Sequence, residues 1–270
     1  MLLNAVIIVL RETLEAGVLI SLLLSISYRL ELKFHWLWAA LAGGLIGTWA
    51  YIMNLRKFSS WFEYTGQELI NASMQYAIFI CLVFIVTLAL TKHSLHHKQK
   101  NNTRNKTLTK LFIITVILAT IREGAEIIIF YMGLFQADNV FTPALTSGFI
   151  GLMIAASIGA LCYYTIVSVP AETAIKIQLT ALTLISGGMV AQATQLLIQA
   201  DWLPTTLPIW DSRDLLSEQS ILGQLLYAIL GYESTPTLLE VLLYISALLS
   251  VLIAFRVSRS NKQSVENLSN

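Results

Sequence analysis

The sequence predicts an all-α, polytopic membrane protein with seven transmembrane helices. Hydrophobic residues fill 56% of its 270 positions and charged residues only 12%, where a soluble domain is about a quarter charged. The mean hydropathy of +0.70 agrees. Seven stretches stay apolar over the roughly 20 residues that a helix needs to cross a hydrocarbon layer about 30 Å thick. Lipid-facing backbone must satisfy its own hydrogen bonds, which makes these stretches helices. So few charges exclude a soluble enzyme, and a net charge of +1 excludes a nucleic-acid binder, which needs a basic surface to neutralise phosphates.

The first span covers about 2–28. Its opening ten residues carry no charge, and Arg11, Glu12 and Glu15 then interrupt the apolar run. A cleavable signal peptide has the reverse order, so this segment is expected to remain in the mature chain. Span two, 36–54, carries Gly43, Gly44 and Gly47. Span three, 69–91, opens on a polar stripe at helical spacing, Glu68, Asn71 and Gln75. A polar connection, 92–110, contains His93, His96 and His97 among Lys and Asn; nothing there fixes a ligand geometry, so it reads as a solvated loop. Span four, 111–135, carries Arg122, Glu123 and Glu126. Span five, 144–168, has Gly148, Gly151 and Gly159, which, like the glycines of span two, read singly as close helix packing. Span six, 174–199, ends on a second stripe, Gln192, Gln195 and Gln199. The external connection 200–235 holds Pro204, Pro208 and an amphipathic stretch, Leu215 to Leu230. Ser217, Glu218, Gln219 and Gln224 interrupt that stretch too often for it to span, so it is expected at the interface or dipping partway in. Span seven, 236–257, is followed by a polar tail, 259–270. The whole of 1–258 forms one transmembrane domain. Cys81 and Cys162 lie in apolar runs as small buried hydrophobes, which excludes a disulfide framework.

Basic residues orient the bundle. Arg29, Lys33, Lys92, Lys98, Lys100, Arg104, Lys106, Lys110, Lys176, Arg256, Arg259 and Lys262 fall on the side of the C-terminus, against Arg56, Lys57 and Arg213 opposite. The N-terminus is therefore expected outside and the C-terminus in the cytoplasm. Acidic residues run the other way: Glu63, Glu68, Asp138, Asp201, Asp211, Asp214, Glu218 and Glu233 fall on or near the outer side. Of these, Asp211, Asp214, Glu218 and Glu233 could form an external entrance that concentrates cations, or simply solvated loops.

The chemistry sits mid-span. Arg11-Glu12-Thr13-Leu14-Glu15 in span one and Arg122-Glu123-Gly124-Ala125-Glu126 in span four repeat an R-E-x-x-E string. Residues three or four apart are helix neighbours, so the two glutamates of each string share a face, and Arg11 is expected to pair with Glu15 and Arg122 with Glu126 as charge-balancing groups. Each such charge costs several kcal/mol in a bilayer, so it marks a site or pathway. A purely structural protein would not carry six. Carboxylates without thiol or imidazole in the spans suit hard cations such as Mg²⁺, Ca²⁺, Mn²⁺ or iron, and four glutamates against two arginines leave −2. Span one enters from outside and span four from the cytoplasm, so the strings run antiparallel. This is the pattern of an inverted three-plus-three repeat, about 1–91 and 111–199, with the seventh helix added and substrate near the midplane. The stripes Glu68, Asn71, Gln75 and Gln192, Gln195, Gln199 would line a vestibule above the glutamates, or hydrogen-bond between helices.

These residues resemble the oxidase-dependent iron transporters, meaning the fungal high-affinity iron permeases and the bacterial permeases of elemental-ferrous-iron uptake. The resemblance covers about 1–258. Arg11 to Ala16 is similar to the family's first motif, with Thr13 where Gly is usual; Arg122 to Glu126 is similar to the second, with Ala125 where Leu is usual. Gln67-Glu68-Leu69 resembles the acidic start of span three, although Asn71 stands where bacterial members often have a second Glu. Asp211 through Ser220, Gly223, Gly231 and Tyr232 to Pro236 resembles the last external loop. The resemblance implies a multi-pass iron permease of the cytoplasmic (inner) membrane, with Glu12, Glu15, Glu123 and Glu126 as ligands for Fe²⁺ or Fe³⁺ in transit. It implies no permanently bound cofactor, and an extracytoplasmic partner that oxidises or delivers iron. From the residues alone, a Mn²⁺ or Ca²⁺ exchanger stays open. A membrane-embedded enzyme would need a substrate pocket and a Ser/His or Asp/His arrangement that the sequence does not offer.

Overall fold

The computed structural model describes residues 2–90, 102–135 and 141–269. Within them every regular element is a helix: α1 (Leu2–Arg29), α2 (His35–Met53), α3 (Leu55–Ser59), α4 (Gly66–Ile85, prolonged by a π-helical turn Val86–Leu90), α5 (Asn102–Leu134), α6 (Phe141–Ser168), α7 (Ala171–Gln199), α8 (Ile221–Leu230) and α9 (Leu238–Ser269). No strand forms among the described residues, although Pro208 and Thr237 make an isolated antiparallel bridge.

Among the described residues, five helices are long and apolar enough to cross a membrane: α2, α4 with its π turn, α6, α7 and the portion of α9 up to Ser260. The helices α1 and α5 reach 28 and 33 residues but carry the charged strings midway. Three boundaries differ from the sequence expectation. Residues 102–110, expected as loop, begin α5, and residues 259–269, expected as part of a polar tail, continue α9 to Ser269. In both cases an existing helix is propagated through polar residues at little cost per residue. Between them, the amphipathic stretch 215–230 is helical only over Ile221–Leu230. That helix is stopped at both ends: the Ser220 hydroxyl accepts from the Gly223 amide at 3.0 Å, and Gly231 takes φ +67°, the left-handed closure for which glycine is suited. Gly231 also lies so close to Gly188 of α7 that a Cβ on it would sit 2.5 Å from the Gly188 Cα. Thus α8 packs against α1 and α7.

The long helices pair crosswise. α1 lies on α6, α2 on α5, and α4 on α7. Glycines permit the first two contacts. A Cβ on Gly151 would fall 2.4 Å from the Val6 carbonyl oxygen, and one on Gly44 would meet Thr120. A hydroxyl seals each seam: Ser21 donates to the Gly159 carbonyl at 2.7 Å, and Thr48 to the Thr120 carbonyl at 3.1 Å. At the end of α1, Arg29 donates to the Ile166 and Val169 carbonyls, both at 2.8 Å, satisfying acceptors that the end of α6 leaves open.

The main apolar core is lopsided. Leu19, Leu22, Leu23 and Ile26 of α1 pack with Ile78, Leu82 and Ile85 of α4, Phe112 and Val116 of α5, and Leu182 and Ile185 of α7. All lie between the charged strings and the end of the bundle where α1 finishes and α5 starts. Among the described residues, the opposite half holds a small cluster around Tyr51, Met74 and Ala125. The cysteines are free and half-buried.

Candidate functional site

Where α1 meets α5, the two charged strings face each other. Glu12, Glu15, Arg122 and Glu123 are 1–4% exposed. Glu12 and Glu15 project from one face of α1, three residues apart, towards Glu123 of α5. Behind Glu123, Gly124 presses on Thr48 of α2 without a side chain of its own. One carboxylate oxygen from each of Glu12, Glu15 and Glu123 lies within 4.8 Å of the others. A hard cation bound at about 2.0–2.6 Å from each oxygen spans up to about 5 Å between opposite ligands, so these three fit around one ion.

The arginines bind across the interface as well as within each string. Arg122 contacts Glu123 at 2.6 Å, Glu15 at 3.0 Å and Glu126 at 3.6 Å. Arg11 contacts Glu12 at 2.5 Å and Glu126 at 3.8 Å. Each arginine therefore pairs with the adjacent glutamate of its own string and with the last glutamate of the other. The expected Arg122–Glu126 pair forms. The expected Arg11–Glu15 pair gives way to Arg11–Glu126, because Glu15 is taken by Arg122. The compensation leaves three oxygens over. Glu12 Oε2, Glu15 Oε1 and Glu123 Oε2 are buried without a hydrogen-bond partner, an arrangement costly enough to require an explanation. A cation among them would supply it.

The two sides of this centre differ. The Arg122 side chain is 5% exposed, and those of Arg11 and Glu126 are each 29% exposed. Arg11 faces a polar cavity of about 370 Å³ lined by Ile8, Gln195, Glu218, Gln219, Gln224 and Tyr227. Tyr227, on α8, was not singled out in the sequence. The available signal was its spacing of three from Gln224, which puts both on the polar face of the stretch. Its ring lies 5.7 Å from the Arg11 guanidinium carbon. A second, mostly apolar cavity of about 410 Å³ lies between α7 and α9, with Glu233, Glu240, Trp210 and Tyr244 among its lining. Glu240 was also missed, although Thr237-x-x-Glu240 is a capping box by pattern: Glu240 accepts from the Thr237 amide and hydroxyl at 2.7 Å each.

The stripes divide. Asn71, Gln75 and Gln192 are buried and bonded between elements: Tyr51 donates to Asn71 at 3.2 Å, Gln75 to Gln192 at 2.8 Å, and Gln192 to the Tyr227 carbonyl at 3.2 Å. Gln195 lines the polar cavity. Gln199 is exposed, and the Glu68 Oε2 is buried without a hydrogen-bond partner. Among the loop acids, Glu218 lines the polar cavity and accepts from the Ser234 amide and hydroxyl. Glu233 accepts from Gln195 at 3.4 Å, and burial, then the nearby Glu240 and Glu218, push its carboxyl up to about 8. Asp211 is exposed and held down at about 2 by its hydrogen bonds from Arg213; Asp214 is exposed as well. His93, His96, His97 and Asp138 lie outside the described residues.

The sequence model of the Iron permease FTR1 family matches residues 2–260. The chain is similar to the ferrous iron permease EfeU of Escherichia coli O6:H1, 27% identical over 262 residues covering 92% of this chain and 93% of that one. It is similar to the ferrous iron permease EfeU of Yersinia pestis at 26% over 259 residues, covering 92% and 91%. No solved structure matches.

Proposed function

Because the chain belongs to the Iron permease FTR1 family, we propose that it imports iron across the cytoplasmic membrane by binding the ion among Glu12, Glu15, Glu123 and Glu126. One observation carries this reading: three buried carboxylates from two helices bring one oxygen each within 4.8 Å of the others, and each of the three also has an oxygen without a hydrogen-bond partner. The family and the relatives named as ferrous iron permeases favour iron as that ion. Arg11 and Arg122 balance the empty site, leaving −2, the complement of a divalent ion. Glu126, more exposed and beside Arg11, is the first carboxylate an incoming ion meets.

The wider frame is proposed with it. Counting α1 and α5 with the five apolar helices gives seven spans, since their charges turn inward to one another rather than to lipid. Crosswise helix pairing and matching ion pairs support an inverted repeat. The excess of basic residues at the C-terminal side supports an external N-terminus. The polar cavity then opens outward and the packed half faces the cytoplasm. An extracytoplasmic protein that oxidises or hands over iron fits that outward opening.

The test is uptake of radiolabelled iron by cells expressing each single Glu→Gln variant at positions 12, 15, 123 and 126. Gln keeps size but removes the charge that a hard cation needs. Uptake is expected to fall at least about tenfold at each position with membrane abundance unchanged; near-normal uptake in two of the four refutes the site. Competition by excess Mn²⁺ or Ca²⁺ in the wild type distinguishes iron from the other hard cations.

A further inference from the structure

Arg11 must go somewhere when an ion arrives. At rest it holds Glu12 at 2.5 Å and Glu126 at 3.8 Å, two of the carboxylates assigned above as ion ligands. A cation on those oxygens repels the guanidinium, and arginine cannot escape by losing its proton. Arg122 has no such freedom, being buried among Glu15, Glu123 and Glu126. Arg11 borders the polar cavity, and two groups there could receive a cation, Glu218 and the face of Tyr227. Glu218 gives one oxygen, Oε1, to both the Ser234 amide and hydroxyl, which anchors its carboxylate to the loop. The Tyr227 ring is already 5.7 Å from the guanidinium carbon, within the range where an aromatic face attracts a cation.

The ring is also held in place from several directions. Its hydroxyl donates to Gln195 Oε1 at 2.8 Å. Its backbone carbonyl accepts from Gln192 at 3.2 Å, and Gln192 is fixed in turn by Gln75 of α4 at 2.8 Å. Three polar side chains from two long helices thus orient one aromatic face towards Arg11. We propose that Tyr227 is a positioning residue for uptake, the seat to which Arg11 withdraws when an ion occupies Glu12 and Glu126. This rests on the glutamates being the ion's ligands. Without the seat, Arg11 stays on the carboxylates and competes with the ion, so apparent affinity falls while the maximal rate does not.

The experiment measures KM and maximal rate for radiolabelled iron, supplied ferrous with ascorbate, in cells expressing Tyr227→Leu, Tyr227→Phe and Tyr227→Trp. Leu is expected to raise KM about threefold to tenfold, the range of a cation–aromatic contact of this kind, with maximal rate and abundance within about twofold. Phe and Trp, which keep a ring, should restore KM to within about twofold of wild type. An unchanged KM in the Leu variant overturns the proposal. So does a loss of rate and abundance that Phe and Trp fail to rescue, which would make Tyr227 a packing residue only. Should the Leu variant not accumulate, Tyr227→Met is the second ring-free variant; KM should then rise about threefold or more, and a KM within about twofold of wild type again overturns the idea. Glu15→Gln and Glu123→Gln are run in parallel. If both transport normally, the ion site itself is wrong; if both are inactive while Tyr227→Leu keeps a normal KM, only the role of Tyr227 fails.

Discussion

Arg122 is the residue on which the centre's electrostatics turn. It is buried and touches three carboxylates, so removing its charge leaves them facing one another. Arg122→Met should cost about 3–5 kcal/mol, the range for stripping one partner from a buried ion pair, seen as a lowered thermal midpoint of the purified protein. Arg122→Lys keeps the charge but not the planar fork that reaches several carboxylates at once; iron uptake should fall about tenfold or more even where the variant accumulates. A second residue sets a pH dependence. The Glu233 carboxyl is raised from its ordinary 4.5 to about 8, so between those values the folded chain holds a proton that the unfolded chain releases. Its contribution is favourable below about 4.5 and is lost as pH rises through 8. Glu233→Gln should accordingly flatten the decline of the thermal midpoint across that interval, judged as the difference from wild type. The strings themselves were legible in the sequence because charge in a bilayer is too costly to be incidental. Their pairing was not. Spacing within one helix pointed to Arg11–Glu15, and only the approach of α5 shows that Glu126 takes that place.

Helix contacts here depend on what an added methyl group would strike. On α6, Gly151 faces the backbone of α1, with a Cβ 2.4 Å from the Val6 carbonyl oxygen, and neither backbone can move without parting the helices. Gly151→Ala should therefore cut the amount of folded protein several-fold, read by size-exclusion chromatography of a fluorescent fusion, and uptake with it. On α2, a Cβ at Gly43 meets the tip of Ile117 at 2.9 Å, a flexible side chain that can turn aside. Gly43→Ala should accumulate and transport near normally. The two glycines look alike in sequence, each one of three in its span, and the surrounding backbone alone distinguishes them. The same limit hid α8. The sequence puts its amphipathic stretch at the interface or partway into the bilayer without showing what its polar residues meet; in the structure Gln224 faces the polar cavity and Gln192 and Gln195 meet Tyr227, so the helix is accommodated between α1 and α7.

At the scale of the whole molecule, apolar packing is concentrated on one side of the charged centre and polar space on the other. With the proposed orientation, the dry half is cytoplasmic. That division has an electrical meaning. On that orientation, water reaching Arg11 and Glu126 would keep the carboxylates near the external potential, and nearly all of the membrane voltage would drop across the packed layer of Leu19, Leu22, Phe112, Val116 and Leu182. Capturing an ion then moves little charge through the field, whereas carrying it past that layer moves all of it, worth about 2.3 kcal/mol per elementary charge per 100 mV and twice that for a divalent ion. Collapsing the membrane potential with valinomycin and external potassium should slow maximal iron uptake and leave the half-saturating iron concentration where it was. On the proposed orientation the greasy half of the bundle is the protein's insulator, and the voltage across it would pull an inward-moving cation towards the cytoplasm.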